Sequence, residues 1–118
     1  MDNITGLACG RIAVGTLSLL SPELAAKAFL LDPRANPQVP FVTRLFGSRE
    51  IALGAATLLA TGALRRQLVQ IGVAVDGADA VTGLIGTVNG SVSKPAGLLM
   101  AAVAGGAVAT GVMELQEG

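Results

Sequence analysis

The residues of this chain that could do chemistry are a few arginines and carboxylates within otherwise apolar stretches. They are Arg11, Arg44, Arg49, Glu50, Asp76 and Asp79. A pair of carboxylates can act as acid and base or carry protons through a membrane, and an arginine can stabilise developing negative charge. Arginine also bonds a carboxylate in bidentate fashion, so the same residues can simply neutralise one another. We predict that Asp76 or Asp79 pairs with Arg11 or Arg49, since three arginines here meet three acids.

Other kinds of site lack their usual residues. The chain has no histidine and a single cysteine, Cys9, so the commonest metal ligands and an internal disulfide are missing. We expect no metal site and no cofactor, and we interpret Cys9 as a small buried apolar residue. No phosphate-binding loop or dinucleotide fingerprint is present. Eight basic and eight acidic residues cancel, which argues against a nucleic-acid partner.

The composition favours a lipid environment. The 118 residues are 52% hydrophobic with a mean hydropathy of +0.67, above that of a typical soluble domain. We predict a single all-α domain over residues 1–118, a four-helix transmembrane bundle that crosses the cell membrane several times. Its expected partners are the lipid bilayer and, as one alternative, further copies of itself. A soluble alanine-rich bundle is the rival interpretation, because tryptophan and tyrosine are absent.

Four spans follow from the apolar segments and the breaks between them. They are predicted at residues 4–20, 41–64, 67–89 and 95–113. The second span reaches membrane length only if Arg49 and Glu50 face protein or water, since a charge at mid-membrane costs about 3 kcal/mol. The pair Arg65-Arg66 is placed in the turn between the second and third spans, on the cytoplasmic side.

A short amphipathic helix is predicted between the first two spans, at residues 22–31. Ser21-Pro22 supplies its start signal, and it is expected to lie along the membrane surface. Leu24, Ala28 and Leu31 form its apolar side. The three prolines of residues 32–40 then make a stiff loop.

Small residues gather on one face of each span, which lets helices approach closely in lipid. The glycines expected to pack helices together are Gly47, Gly54, Gly72, Gly83, Gly86, Gly97 and Gly111. On the third span Gly72, Gly83, Gly86 and Gly90 share an arc of roughly 80° with both aspartates, at 100° per residue. On the second span Arg44 and Glu50 lie on the glycine face, whereas Arg49 points toward another neighbour.

The segment 44–54, Arg-Leu-Phe-Gly-Ser-Arg-Glu-Ile-Ala-Leu-Gly, resembles a family of small bacterial four-helix integral membrane proteins catalogued as a domain of unknown function. An arginine in the first span, Asp32-Pro33 in the loop and the two aspartates of the third span are similar as well. The resemblance covers nearly the whole chain and implies its fold and location, but no substrate. The positions it marks are Arg44, Gly47, Arg49, Glu50, Asp76 and Asp79.

Three kinds of function are compatible with these residues. The favoured one is a non-enzymatic membrane protein that oligomerises or supports a partner through its glycine faces, with buried charges fixing helix register. The second is a small proton-coupled transporter that uses Asp76 or Asp79. The third is a membrane enzyme for a lipophilic substrate, with the two aspartates as acid and base, and it requires a pocket at those residues. Whether the aspartates line a cavity or a sealed contact therefore bears directly on the choice.

Overall fold

The computed structural model describes residues 2–117, and within them the chain forms five α-helices. They are α1 (Asn3–Leu20), α2 (Pro22–Ala28), α3 (Val39–Leu59), α4 (Gly62–Asn89) and α5 (Lys94–Glu117). The prediction of an all-α protein is confirmed. Across the described part of the chain, three helices are long and apolar enough to cross a membrane, namely α1, α4 and α5.

Helix α3 has the length of a span but not the composition. It contains 21 residues, and Arg44, Arg49 and Glu50 all fall within it. The structure therefore supports membrane association through three helices, whereas the predicted fourth span depends on where the charges of α3 lie.

The turn between α3 and α4 differs from the prediction. Helix α3 ends at Leu59 rather than at residue 64, and α4 begins at Gly62 rather than at residue 67. Gly62 has a φ of +58°, a conformation that glycine adopts without steric cost and that reverses the chain in very few residues. Arg65 and Arg66 consequently lie inside the first turns of α4 instead of in a loop.

Helix α5 also departs from its predicted limits, because it begins at Lys94 and continues to Glu117, past residue 113. The added C-terminal residues include glutamate, leucine and glutamine, which are good helix formers, so nothing in the local sequence stops the helix there.

The short helix α2 forms where predicted but buries a different face. Its buried residues are Pro22, Ala25 and Ala26, whereas Leu24 is 55% exposed and Ala28 is exposed as well. Small alanines allow α2 to lie closely against α1 and α3, the helices that it contacts. The helix ends at Ala28, before residue 31, because Leu30 takes a positive φ of 64° and the Leu31 N–H donates back to the Ala26 carbonyl.

The long helices pack as two antiparallel pairs, α1 with α3 and α4 with α5. Glycines bring the backbones of each pair together. A Cβ atom added at Gly15 would lie 2.6 Å from the carbonyl oxygen of Gly47, and one added at Gly97 would lie 2.6 Å from that of Gly83. The two pairs approach each other much less closely, along α3 and α4 and along α1 and α5.

The exterior of the protein is apolar. The buried hydrophobic residues are mostly small alanines, whereas Leu20, Leu59 and Val88 are 80%, 85% and 89% exposed. Large apolar side chains that point outward along several helices are typical of surfaces that contact lipid. This distribution agrees with the membrane association indicated by α1, α4 and α5.

Candidate functional site: an ion-pair network between two helix pairs

Arg11 stands at the centre of a charged network in the middle of the protein. Its Nη1 atom donates to Glu50 Oε2 at 3.1 Å and to Asp76 Oδ1 at 2.9 Å, and its Nη2 atom donates to Asp76 Oδ2 at 2.5 Å. One guanidinium from α1 thus binds carboxylates of α3 and α4. The side chains of Arg11, Glu50 and Asp76 are only 10%, 6% and 6% exposed.

Arg49 extends the network toward the second aspartate. Its Nη1 and Nη2 atoms donate to Asp79 at 3.2 and 2.6 Å, and Nη2 also donates to Glu50 Oε1 at 2.9 Å. The Cζ atom of Arg49 lies 5.0 Å from the ring centroid of Phe46, a cation–π distance. Arg49 Nε is buried and has no hydrogen-bond partner among residues 2–117.

The sequence predicts pairing between the aspartates and two of the arginines, and the structure contains two such pairs, Arg11 with Asp76 and Arg49 with Asp79. One detail of the prediction is wrong, and it concerns Arg44. Arg49 points away from the glycine face that packs on α1 and reaches Asp79 of α4, as predicted, and its guanidinium bonds Glu50 as well. Arg44 is exposed and takes no part in the network, since its Nε donates to the Leu19 carbonyl at 3.4 Å, near the end of α1.

The network is therefore unequal in charge. Two guanidinium groups bond to three carboxylates, and no third basic side chain forms a salt bridge with these acids within the described chain. With all groups ionised, the cluster has one negative charge in excess. The balance of three against three expected from the sequence is lost because Arg44 lies outside the cluster.

Glycines make room for these long side chains as well as for the helices. At Gly54 an added Cβ would lie 2.7 Å from the Ala8 carbonyl oxygen, which explains how α1 and α3 approach closely one turn away from Arg11 and Glu50. At Gly72 the nearest atom is Arg11 Nη2, at 3.1 Å. Gly72 thus leaves space for the guanidinium rather than for a neighbouring helix.

The other predicted packing glycines lie at helix contacts or beside a loop. Gly47 faces Gly15 and Ser18, Gly83 faces Gly97, and Gly111 faces Val73. Gly86 instead faces Val92 and Ser91, which belong to the segment between α4 and α5.

A cavity of about 300 Å³, here called the central cavity, reaches the network from between the helix pairs. Glu50, Asp76 and Asp79 all line it, together with Phe29, Phe46 and Met100. Asp79 is the most open of the three carboxylates, with 21% of its side chain exposed. The aspartates accordingly line a cavity rather than a sealed helix contact.

A larger apolar space of about 620 Å³, here called the outer groove, adjoins the central cavity. Phe29, Phe46 and Met100 line both spaces, and Arg49 also borders the groove. On the other side of the network, toward Thr57 and Val69, the corresponding space is only about 20 Å³, room for about one water molecule. The protein is thus open on one side of the network and nearly closed on the other.

Sequence reasoning missed the role of the phenylalanines and misplaced the cysteine. Phe29 and Phe46 meet edge to face with their centroids 6.2 Å apart, a contact between α3 and the residue just after α2 that no local pattern reveals. Cys9 is exposed on α1, so the expectation that it is buried is wrong. Its position on the helix lies away from the buried residues of α1, which are Ile4, Ala8, Gly15 and Ser18.

Residues 2–117 contain no group of three histidine, cysteine or acidic side chains arranged to hold a metal ion. The three carboxylates of the network are each bonded to arginine instead.

The fold and site define an all-α protein with membrane-compatible helices and an ion-pair network between two glycine-packed helix pairs. No family model, curated protein or solved structure matches the chain. The resemblance of residues 44–54 to small bacterial four-helix membrane proteins consequently stays a prediction.

Proposed function

We propose that the chain is a multi-pass membrane protein in which α3 is a fourth span beside α1, α4 and α5. Its 21 residues correspond to about 31 Å at 1.5 Å per residue, close to the thickness of the hydrocarbon core. Arg49 and Glu50, which make α3 too polar by composition, bond to each other and to neighbouring helices. Pairing of this kind lowers the cost of placing charges in the membrane.

Within that membrane protein we propose a non-enzymatic, helix-associating role, and the open glycine face of α1 carries the proposal. Added Cβ atoms at Gly6 and Gly10 would meet nothing within 4 Å, whereas Gly15 on the same helix is pressed against α3. The segment Gly6-Leu7-Ala8-Cys9-Gly10 has the glycine spacing that brings two membrane helices together. A second copy of the chain is the proposed partner.

Cys9 allows a direct test, because it is exposed between these two glycines. Mild oxidation of native membranes should link two copies through Cys9, and Gly10→Leu should reduce the linked fraction by at least about fivefold by obstructing close approach. Gly106→Leu is the matched control, since Gly106 on α5 is equally open. Thermal unfolding in detergent should show that both variants fold.

Equal cross-linking in wild type and Gly10→Leu, or a monomeric wild-type protein in both membranes and mild detergent, would refute association through this face. Loss of cross-linking in Gly106→Leu alone would indicate that the interface lies on α5 rather than on α1.

A small proton-coupled carrier is a second candidate, favoured by the central cavity that reaches all three carboxylates. Carboxylates inside membranes often mark proton routes. Proteoliposomes containing a trapped pH indicator should then show proton uptake under a membrane potential, and Asp79→Asn should abolish it. Wild-type liposomes no more permeable than protein-free ones would eliminate this candidate.

We do not propose an enzymatic reaction for the aspartates. Both oxygens of Asp76 accept from Arg11, and both oxygens of Asp79 accept from Arg49. A carboxylate held in this way is a poor proton acceptor, because taking up a proton would cost it a charge-assisted hydrogen bond. The same bonds count against the proton-coupled carrier, which therefore ranks second.

A further inference from the structure

We infer that the central cavity and the outer groove together form a binding site for a hydrophobic organic cation, such as a quaternary ammonium or phosphonium ion with apolar substituents. The inference concerns a ligand inside one copy of the chain. It requires binding but not transport, and it shares Gly6 and Gly10 of α1 with the association proposed above, because both glycines also line the central cavity.

The sign of the ligand's charge follows from the network. Three carboxylates and two guanidinium groups border the cavity and the groove, and with all of them ionised one negative charge is in excess in surroundings of low polarity. Such a charge is stabilised by a cation more strongly than it would be in water. An anionic ligand would instead meet a net repulsion.

The apolar character of the ligand follows from the other residues that line the two spaces. Phe29, Phe46 and Met100 line both spaces, and Val42, Leu45 and Val92 add further apolar surface to the groove. Aromatic rings attract cations through their electron-rich faces, and methionine adapts to ligands of different shape. A bare metal ion or a small ammonium would leave most of this surface without a partner.

The size of the space agrees with a molecule of this class. The groove measures about 620 Å³ and the cavity about 300 Å³, both within the range of small-molecule sites, whereas the space on the opposite side of the network holds about one water. A ligand would enter along the groove and place its charge next to Asp79, the most open carboxylate.

Two probes of the same shape and opposite charge test the inference. Tetraphenylphosphonium and tetraphenylborate should be measured by equilibrium dialysis with the detergent-solubilised wild-type protein, against empty micelles as reference. We expect saturable binding of the phosphonium at about one per chain and at least about tenfold weaker binding of the borate. Equal or tighter binding of the borate, or no saturable binding of the phosphonium, would overturn the proposal.

Matched variants locate the site. Asp79→Asn makes the network neutral and should weaken phosphonium binding at least about tenfold, whereas Glu23→Gln removes the same charge from the exposed side of α2 and should leave it unchanged. Phe29→Ala should weaken binding several-fold, and Phe41→Ala, at an exposed ring that does not line the groove, should not. Identical affinities for Asp79→Asn and Glu23→Gln would contradict the inference even if the phosphonium binds. If Asp79→Asn fails to fold, the comparison of Phe29→Ala with Phe41→Ala, which keeps all charges, locates the site instead, and identical affinities for that pair would contradict the inference.

Discussion

Asp76 on α4 accepts hydrogen bonds from both terminal nitrogens of Arg11 on α1, although 65 residues separate the two in sequence. The backbones of these two helices have few close approaches, because α1 packs on α3 and α4 packs on α5. The bidentate pair therefore joins two halves that are otherwise loosely associated. Glu50, which bonds to both Arg11 and Arg49, connects it to the second pair.

Replacement of Arg11 should destabilise the protein strongly. Arg11→Met removes the only partner of Asp76 among the salt bridges of residues 2–117 and leaves its buried carboxylate uncompensated. We expect the free energy of unfolding in detergent to fall by about 3–5 kcal/mol. Adding Asp76→Asn to Arg11→Met should restore part of the loss, because the unpaired charge is then removed.

The exposed Arg44 provides the control for this experiment. Arg44→Met deletes the same group from the neighbouring helix, outside the network, and should change stability by less than about 0.5 kcal/mol. Similar losses for Arg11→Met and Arg44→Met, or strictly additive effects in the double variant, would show that the network does not hold the helix pairs together.

Two glycines of α4 should respond to alanine in opposite directions. A Cβ at Gly83 would lie 2.7 Å from the Gly97 carbonyl oxygen, so α4 and α5 must separate, and Gly83→Ala should cost about 1–3 kcal/mol. Gly77 has nothing within 4 Å of the added atom, and Gly77→Ala should stabilise the helix by about 0.5–1 kcal/mol. Denaturant titrations of both variants in one detergent measure the difference. Equal effects at the two positions would mean that α4 and α5 do not pack through Gly83.

The sequence predicts those parts of the protein that depend on local physics. The lengths of the apolar segments predict where the helices lie. The 3.6-residue period predicts that Gly83 and Asp76 lie on one side of α4, where both are buried. The pairing of aspartate with arginine is predictable because unpaired charges are costly in an apolar interior. These inferences need no knowledge of how the helices are arranged.

The features that the sequence does not predict depend on that arrangement. The sequence counts Arg44 among the charges to be balanced within the spans, yet only Arg49 reaches Asp79, whereas Arg44 donates to the Leu19 carbonyl near the end of α1. The central cavity exists because the two helix pairs separate on one side of the network, which no single segment determines. The early start of α4 depends on the backbone conformation of Gly62.

The interaction of Asp2 with α4 should make stability depend on pH at the acidic end. The Asp2 carboxylate accepts the Thr5 N–H at 2.7 Å and bonds to Arg65 Nη2 at 2.9 Å. The Thr5 hydrogen bonds first, and Arg65 in addition, hold the pKa of Asp2 below its ordinary value of 3.8. Since the folded pKa is the lower one, the stabilisation is complete above 3.8 and is lost as the pH falls through the folded value.

Asp2→Asn isolates this contribution, because asparagine keeps the helix cap and lacks the charge. Thermal unfolding in detergent should give a higher midpoint temperature for wild type than for Asp2→Asn near pH 6, and the difference should disappear as the pH drops below 3.8. A difference in midpoint that stays constant or widens toward low pH would contradict the assignment.

The number of spans can be decided by which loops share a side of the membrane. If α3 crosses the bilayer, Asn36 before α3 and Ser91 after α4 lie on one side, and the α3–α4 turn at Thr61 lies on the other. If only α1, α4 and α5 cross, Asn36 and Thr61 share a side and Ser91 is opposite. Single cysteines at these three positions, in a Cys9→Ser background, can be labelled in sealed cells with a maleimide that does not cross membranes. We expect Asn36→Cys and Ser91→Cys to label alike and Thr61→Cys to label oppositely, because the pairing of Arg49 and Glu50 lets α3 remain beside α1 in the hydrocarbon.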